Sequence, residues 1–343
     1  MLSRKALIII TIIPILFITA GTSFAAEKYA GEFLNLGAGA RPLGMGGSFT
    51  AVADDATAAY WNPAGIGGFD QSQITFMHAS IFGLDSYDFL NFVQPVSKSS
   101  SLGISWIRLG IDEIPITDLQ RSGSMSASNR PYITGYMKDT ENAVLLSYGR
   151  KIRLDVPMGS HRSIGTYIQV GGNFKFIYNA VSGISRNAVG FGGDIGVIWR
   201  TSFASEEGKD HAGDLSLGIV VQDFTKTRLF WNTTSSPSHI DVIPRNLKIG
   251  AAYLRNLPAI GSKVLLSVDA DTRYDLQMRY GLECVLGDVL ALRAGLQDSN
   301  FTTGAGLHVG FARGESSLNF LIDYAFLSHE LGNTHRISLL TKF

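Results

Sequence analysis

The sequence predicts an all-β fold: a 14-stranded antiparallel outer-membrane β-barrel with a small N-terminal hatch or plug. Three observations predict it. An export signal opens the chain, and no later apolar run approaches the roughly 20 residues of a membrane helix. Amphipathic segments of period two then follow one another to the C-terminus. The composition, finally, is rich in glycine (38 residues) and poor in charge, at 17% against roughly 25% in soluble domains.

Residues 1–25 place Arg4 and Lys5 ahead of an apolar run broken by Pro14 and Gly21, and end in Ser23-Phe24-Ala25. This is the small-x-small pattern of a signal-peptidase site, so a mature chain starting near Ala26 is expected rather than a membrane anchor. Without Arg4 and Lys5, 27 basic residues face 29 acidic ones, with no basic block, which argues against nucleic acid as a partner. Cys284 is the only cysteine, so an internal disulfide and a cysteine-based zinc site are excluded. No metal and no other cofactor is expected.

Residues 26–70 form an extension plus hatch, and 71–343 the barrel. In "DDATAAYWNPAGIGGF" a short helix can start near Asp54 or Asp55 and must end at or before Asn62, because Pro63 follows. The small residues around Asn62, Pro63, Ala64 and Gly65 allow backbone to lie close against a glycine-rich wall. A phosphate cradle fails, since Pro42 occupies the third glycine position of the spacing begun by Gly37 and Gly39. A separate soluble domain fails too, because about forty residues cannot bury their own core without disulfides or metal.

Fourteen strands are expected, at about 73–80, 88–95, 100–110, 140–153, 165–180, 187–201, 213–224, 245–256, 262–272, 276–286, 289–298, 302–312, 316–326 and 334–343. Most reach the roughly 9 to 11 residues that cross a bilayer, beyond the roughly 5 or 6 usual in soluble sheets. In "YIQVGGNFKFIY", for example, Ile168, Val170, Phe174, Phe176 and Tyr178 oppose Gln169, Asn173 and Lys175. Alternation alone also suits a soluble sandwich. Parity separates the two: the long connections 111–139 and 225–244 follow strands three and seven and fall outside, whereas Gly287-Asp288 and 313–315 fall on the periplasmic side. Connections 154–164 and 202–212 are long for periplasmic turns and mark strand boundaries open to revision. The last strand, "THRISLLTKF", ends at Phe343, which resembles the signal by which outer-membrane barrels reach their assembly machinery.

The polar faces supply a candidate lumen network: Lys175, Asp194, Lys248, Asp269, Asp271, Arg279, Glu283, Arg293, His308, Asp323 and Arg336. Five acids balance five bases, which favours internal pairing over an ion-selective funnel. No G-x-S-x-G elbow or H-E-x-x-H motif accompanies His308 or the aspartates, so no enzyme is expected. Ile111, Ile114, Ile116, Phe230 and Trp231 are candidate apolar contacts on the long outer connections.

The stretch "LGAGARPLGMGGSFTAVADDATAAYWNPAGI" resembles the N-terminal signature of PorV/PorQ-type outer-membrane proteins, relatives of the FadL-like long-chain fatty acid transporters. The resemblance implies a fourteen-stranded barrel in which Asn62, Pro63, Ala64 and Gly65 are the hatch motif. For function it implies an accessory or shuttle part in protein secretion of type IX kind, with a secretion barrel and its cargo as partners. The alternative it implies is transport of fatty acids or other hydrophobic small molecules, which leave sideways beside a kinked strand. In either case outer-membrane lipid and the barrel-assembly machinery are expected partners, and the barrel is expected to be monomeric.

Overall fold

The computed structural model describes residues 30–343 except 82, 84, 127–128, 159–161, 184, 205–210, 233–238, 314–315 and 331; the signal sequence expected at 1–25 lies outside the described residues. Sixteen strands are present: β1 Gln73–Ile81, β2 Asp85–Ser97, β3 Ser100–Leu119, β4 Pro131–Met158, β5 Arg162–Val181, β6 Arg186–Ala204, β7 His211–Gln222, β8 Arg228–Trp231, β9 Ile240–Val242, β10 Asn246–Leu257, β11 Ser262–Asp271, β12 Gln277–Leu286, β13 Leu290–Gln297, β14 Asn300–Arg313, β15 Ser316–Leu327 and β16 Thr334–Lys342. All but β8 and β9 form one closed antiparallel barrel of fourteen strands, in which each pairs with the next, β7 pairs with β10, and β16 returns to β1 from Gln73↔Lys342 to Ser80↔His335. Closure leaves the barrel strands no unpaired edge, the condition for a sheet to stand in hydrocarbon.

Burial decides what alternation could not. Along β1 the pattern is strictly buried-exposed, with Met77 and Ala79 inside and Ile74 and Phe76 outside. The same holds for Phe174, Phe191, Leu292, Leu307 and Ile337, which are large, apolar and exposed. A soluble sheet buries such a face; here it is the outside of the barrel, facing lipid.

Three expectations about connections are corrected. Residues 111–119 and 131–139 are not loop: β3 and β4 run on together from Ile111↔Asp139 to Leu119↔Pro131, past the ends of β2 and β5. Their alternation is hidden because the register shifts between Ile111 and Ile114, where Glu113 has a φ of 58°. The connection 225–244 contains the hairpin β8–β9, too short to show a period, which pairs with the upper part of β6. The long turns expected at 154–164 and 202–212 shrink because β4, β5, β6 and β7 extend into them.

Inside lies the N-terminal segment, residues 30–70. It holds two one-turn helices, α1 Ala40–Gly44 and α2 Ala58–Trp61, and 3-10 turns at Glu32–Asn35 and Pro63–Ile66. Its start lies at the barrel end opposite the C-terminus: Glu32 bonds Tyr274 in the β11–β12 turn, and Gly31 sits against Ile243. Its finish lies at the C-terminal end, where Gly67 and Gly68 meet Arg150 and Lys151 and Ser72 exchanges backbone bonds of 3.0 Å with Phe343.

Candidate functional site

The segment folds as its residues dictate. Asp55 Oδ1 accepts the Thr57 N–H at 2.9 Å and the Thr57 hydroxyl at 2.5 Å, setting the turn from which α2 starts. Asn62 is extended at φ −156°, ends α2, and its Oδ1 accepts the Ala64 N–H at 3.2 Å to start the next turn with Pro63 in first position. Tyr60 and Trp61, both buried, stack edge to face with centroids 5.1 Å apart. Trp61 Nε1 donates to Ala38 O at 2.8 Å; Tyr60 donates its hydroxyl to Leu34 O at 2.5 Å and accepts the Gly37 N–H at 3.1 Å. Burial pushes the Tyr60 phenol up to about 12, which keeps it a donor.

A belt of glycines lets this backbone touch the wall. Gly149, Gly171 and Gly196 stand in register on β4, β5 and β6, as do Gly218 with Gly250 and Gly281 with Gly295. A Cβ on Gly149 would lie 2.7 Å from Gly67 N, on Gly171 2.6 Å from Ala64 N, on Gly218 2.8 Å from Ala51 Cα and on Gly281 2.8 Å from Met45 O. No side chain fits at those distances. Polar wall side chains then satisfy buried backbone groups of the segment, which lie outside any sheet ladder. Asp269 Oδ2 takes the Phe49 and Thr50 N–H groups at 2.9 and 2.8 Å. Gln169 donates to Gly67 O at 2.6 Å, Asn173 to Ala59 O at 2.8 Å, and Arg200 to Val52 O. Asn62 Nδ2, itself on the segment, reaches Thr50 O at 2.9 Å and Ile219 O on β7 at 3.4 Å.

Ten of the eleven residues read from the sequence as lumen groups are buried; His308 is partly exposed, and its buried Nε2 has no partner among the described residues. They fall into separate clusters. Glu283 joins Arg41 at 2.9 Å and Arg293 at 2.6 Å, and Arg293 joins Asp323 at 2.8 Å. Arg41 also holds Asp54 at 2.6 Å and Asp55 at 2.9 Å, so it ties the segment to itself and to β12. Burial pulls the Arg41 guanidinium down, but Asp54, Glu283 and Asp55 more than offset this and hold it above its usual value. Lys175 lies 2.8 Å from Asp194 and 2.5 Å from Asp223. Asp271 bridges Lys248 at 3.4 Å and Arg279 at 3.0 Å. Arg336 lies over the Tyr87 ring at 5.5 Å.

Arg41, Asp223, Asn173, Gln169 and Arg200 are not in the lumen network read from the sequence, although alternation does put Gln169, Asn173 and Arg200 on the polar faces of their strands. Asp223 lies within the strand expected at 213–224, but β7 ends at Gln222, and the φ of 50° at Asp223 turns the chain there. The others owe their roles to partners far along the chain. Of the outer candidates, Ile111, Ile114 and Ile116 lie on the β3 extension, half-buried, with Ile116 beside Gly183. Phe230 is exposed on β8, while Trp231 is half-buried and donates to Asp241 at 2.7 Å. Phe343 is exposed beside Ser72.

Toward the end where the segment starts, the lumen changes character. Tyr87 and Phe89 of β2, Ile107 of β3, Leu145 of β4 and Ile177 of β5 point inward and join the same buried cluster as Phe33 and Leu34. A cavity of about 10 Å³, the space of one water, lies among Leu34, Ile107, Leu145, Lys175 and Asp223. Beside it the wall bulges: β6 pairs with β7 as far as Ile195↔Val221 and with β8 from Phe191↔Arg228, so seven steps on one strand oppose four on the other. Phe224 N–H bonds Gly193 O at 3.1 Å across this bulge.

Fold and lumen define a closed fourteen-stranded antiparallel β-barrel with an apolar outer face and its own N-terminal segment packed inside. The chain belongs to the uncharacterised protein family UPF0164, whose model matches residues 18–310. No curated protein matches it in sequence. Among solved structures it is similar to the P. putida toluene transporter TodX, with 11% identity, 89% of this chain and 97% of that chain covered, and a TM-score of 0.44. It is also similar to the CymD monoaromatic hydrocarbon channel, with 12% identity, coverage of 90% and 97%, and a TM-score of 0.35.

Proposed function

We propose that this barrel is a FadL-like, non-enzymatic carrier of apolar small molecules across the outer membrane. The observation that carries the reading is the apolar patch of inner wall formed by Tyr87, Phe89, Ile107, Leu145 and Ile177. A water-filled porin lumen is polar, and a secretion partner has no need of an apolar interior. The segment at the glycine belt closes the straight route along the axis, so cargo leaves sideways, at the bulge of residues 223–227, and the segment acts as a hatch.

The test is uptake of a labelled long-chain fatty acid, and of toluene, by cells or proteoliposomes carrying the full chain. Uptake above empty controls is expected, with loss in Leu145→Asp, which puts a charge in the apolar patch. Equal uptake with and without the protein sinks the reading.

A second reading, the PorV/PorQ-type secretion accessory, is favoured by the β3–β4 extension, which exposes Tyr132, Ile133 and Tyr136. It expects co-purification with a larger membrane barrel, and intact surface cargo in a deletion strain counts against it.

A further inference from the structure

On the outer wall, register fixes a column of outward side chains across β4, β5 and β6. Val144, Phe176 and Phe191 share one level, Asn142, Tyr178 and Val189 the next, and Thr140, Ala180 and Asn187 the one beyond. The chemistry changes along the column. Phe174, Phe176 and Phe191 form an exposed aromatic cluster, with centroids 5.4 Å apart for Phe176 and Phe191 and 6.1 Å for Phe174 and Phe191. Tyr178 stands at its top, the position of the aromatic girdle where hydrocarbon gives way to headgroups.

Directly beyond Tyr178 is a cavity of about 300 Å³, lined among others by Lys138, Thr140, Ser182, Arg186 and Asn187. Its floor is held in shape: Ser182 N–H donates to Lys138 O at 2.8 Å, and Lys138 N–H to Ser182 Oγ at 3.1 Å. The Ser182 hydroxyl also donates to Lys138 O at 3.3 Å and belongs to that floor, which leaves the two cationic side chains to meet a ligand. Arg186 is exposed and has no partner among the described residues. Among the described residues the Lys138 ammonium pairs with Asp112, at 2.7 Å, in a pair 43% and 60% exposed, which is exchanged at little cost.

We propose that this cavity binds a phosphate-bearing lipid of the outer leaflet. The headgroup phosphate sits between Lys138 and Arg186, the hydroxyl of Thr140 donates to its oxygens, and an acyl chain lies on Phe174, Phe176 and Phe191. The aromatic cluster distinguishes this site from one for a free anion, which makes no use of it. The proposal rests on the barrel standing in an outer membrane with its C-terminal end on the periplasmic side.

Native mass spectrometry of the full chain in detergent, titrated in separate arms with phosphatidylglycerol, phosphatidylcholine and inorganic phosphate, tests it. Phosphatidylglycerol is expected to bind more tightly than phosphatidylcholine, and each of Lys138→Gln and Arg186→Gln to cut that preference about fivefold. Phe176→Ala is expected to weaken both lipids alike. A preference that survives in the double variant, no preference at all, or phosphate binding as tight as the lipid's overturns the proposal. Arg186 and Phe176 are exposed and Lys138 partly so, and a gel shift between boiled and unboiled samples verifies that each variant is a folded barrel. Membrane fractionation reads the outer-membrane assignment separately, so the lipid site can fail while that assignment stands.

Discussion

Lys175 Nζ stands 2.5 Å from Asp223 and 2.8 Å from Asp194, and this buried trio lies where β6 exchanges β7 for β8. Asp223 reaches inward because its φ of 50° turns the chain out of β7, and Thr227 Oγ1 donates to its carboxylate at 2.8 Å. The five residues of the bulge are thereby latched to β5 through a single ammonium group.

Replacing that ammonium unlatches the bulge. Lys175→Met leaves Asp194 without its cation and Asp223 with only Arg273, 3.8 Å away, and removing one partner of a buried pair costs roughly 3–5 kcal/mol. The temperature at which the unboiled gel band converts to the boiled one is expected to fall. Under the transport reading, fatty acid uptake rises as the bulge loosens. An unchanged transition temperature contradicts the latch.

The glycine belt predicts a sharp positional contrast. At Gly171 a side chain enters the space of Pro63 and Ala64, whereas a Cβ on Gly165 of the same strand meets nothing within 4 Å. Gly171→Leu is expected to expel the segment or stop assembly, since overpacking costs about 1–3 kcal/mol even where neighbours can shift, and here the neighbour is backbone. Gly165→Ala is expected to assemble as the parent does. Membrane yield and heat-modified migration of the two variants make the comparison.

That contrast also marks where sequence reading stops. The strands were legible because lipid demands one apolar face, so Phe174, Phe176 and Tyr178 declare β5 without help from any partner. A glycine declares nothing locally. Gly149, Gly171 and Gly196 read as weak points in three strands until register sets them side by side, and only then do they become a seat for residues 63–67. Arg41 is similar: its partner Glu283 is 242 residues away. The β3–β4 extension is not legible because its alternation is broken where the register shifts between Ile111 and Ile114.

Tyr60 predicts a pH dependence at the alkaline end. Burial raises its phenol to about 12 in the fold, so the folded chain keeps a proton that the unfolded chain releases near its ordinary value of about 10. The stabilisation is complete below about pH 10 and is lost as pH rises toward 12. Tyr60→Phe is expected to remove that part of the slope, measured as the difference between parent and variant in denaturant midpoint across pH 9 to 12. Parallel curves refute the assignment.

Asn62 gives the most direct measure of how the segment is held. One side chain serves three oxygens and one N–H: Nδ2 faces Thr50 O at 2.9 Å, Ile219 O at 3.4 Å and Val197 O at 3.5 Å, and Oδ1 takes the Ala64 N–H. Asn62→Ala leaves Thr50 O and the Ala64 N–H buried without a partner, which costs about 1–3 kcal/mol for each group stranded, while Ile219 O and Val197 O stay in the sheet ladder. The wall does not depend on them, because β6 and β7 keep their own register from Ile195↔Val221 onward. The barrel is therefore expected to assemble and shift on heating as before, while residues 50–67 become open to protease in the folded protein. Asn62→Asp separates the two halves of the contact, since it retains an acceptor for Ala64 N–H and loses the donor to Thr50 O. Protection lost in both variants assigns the hold to Nδ2; protection kept in both places it on the glycine belt and Asp269 alone.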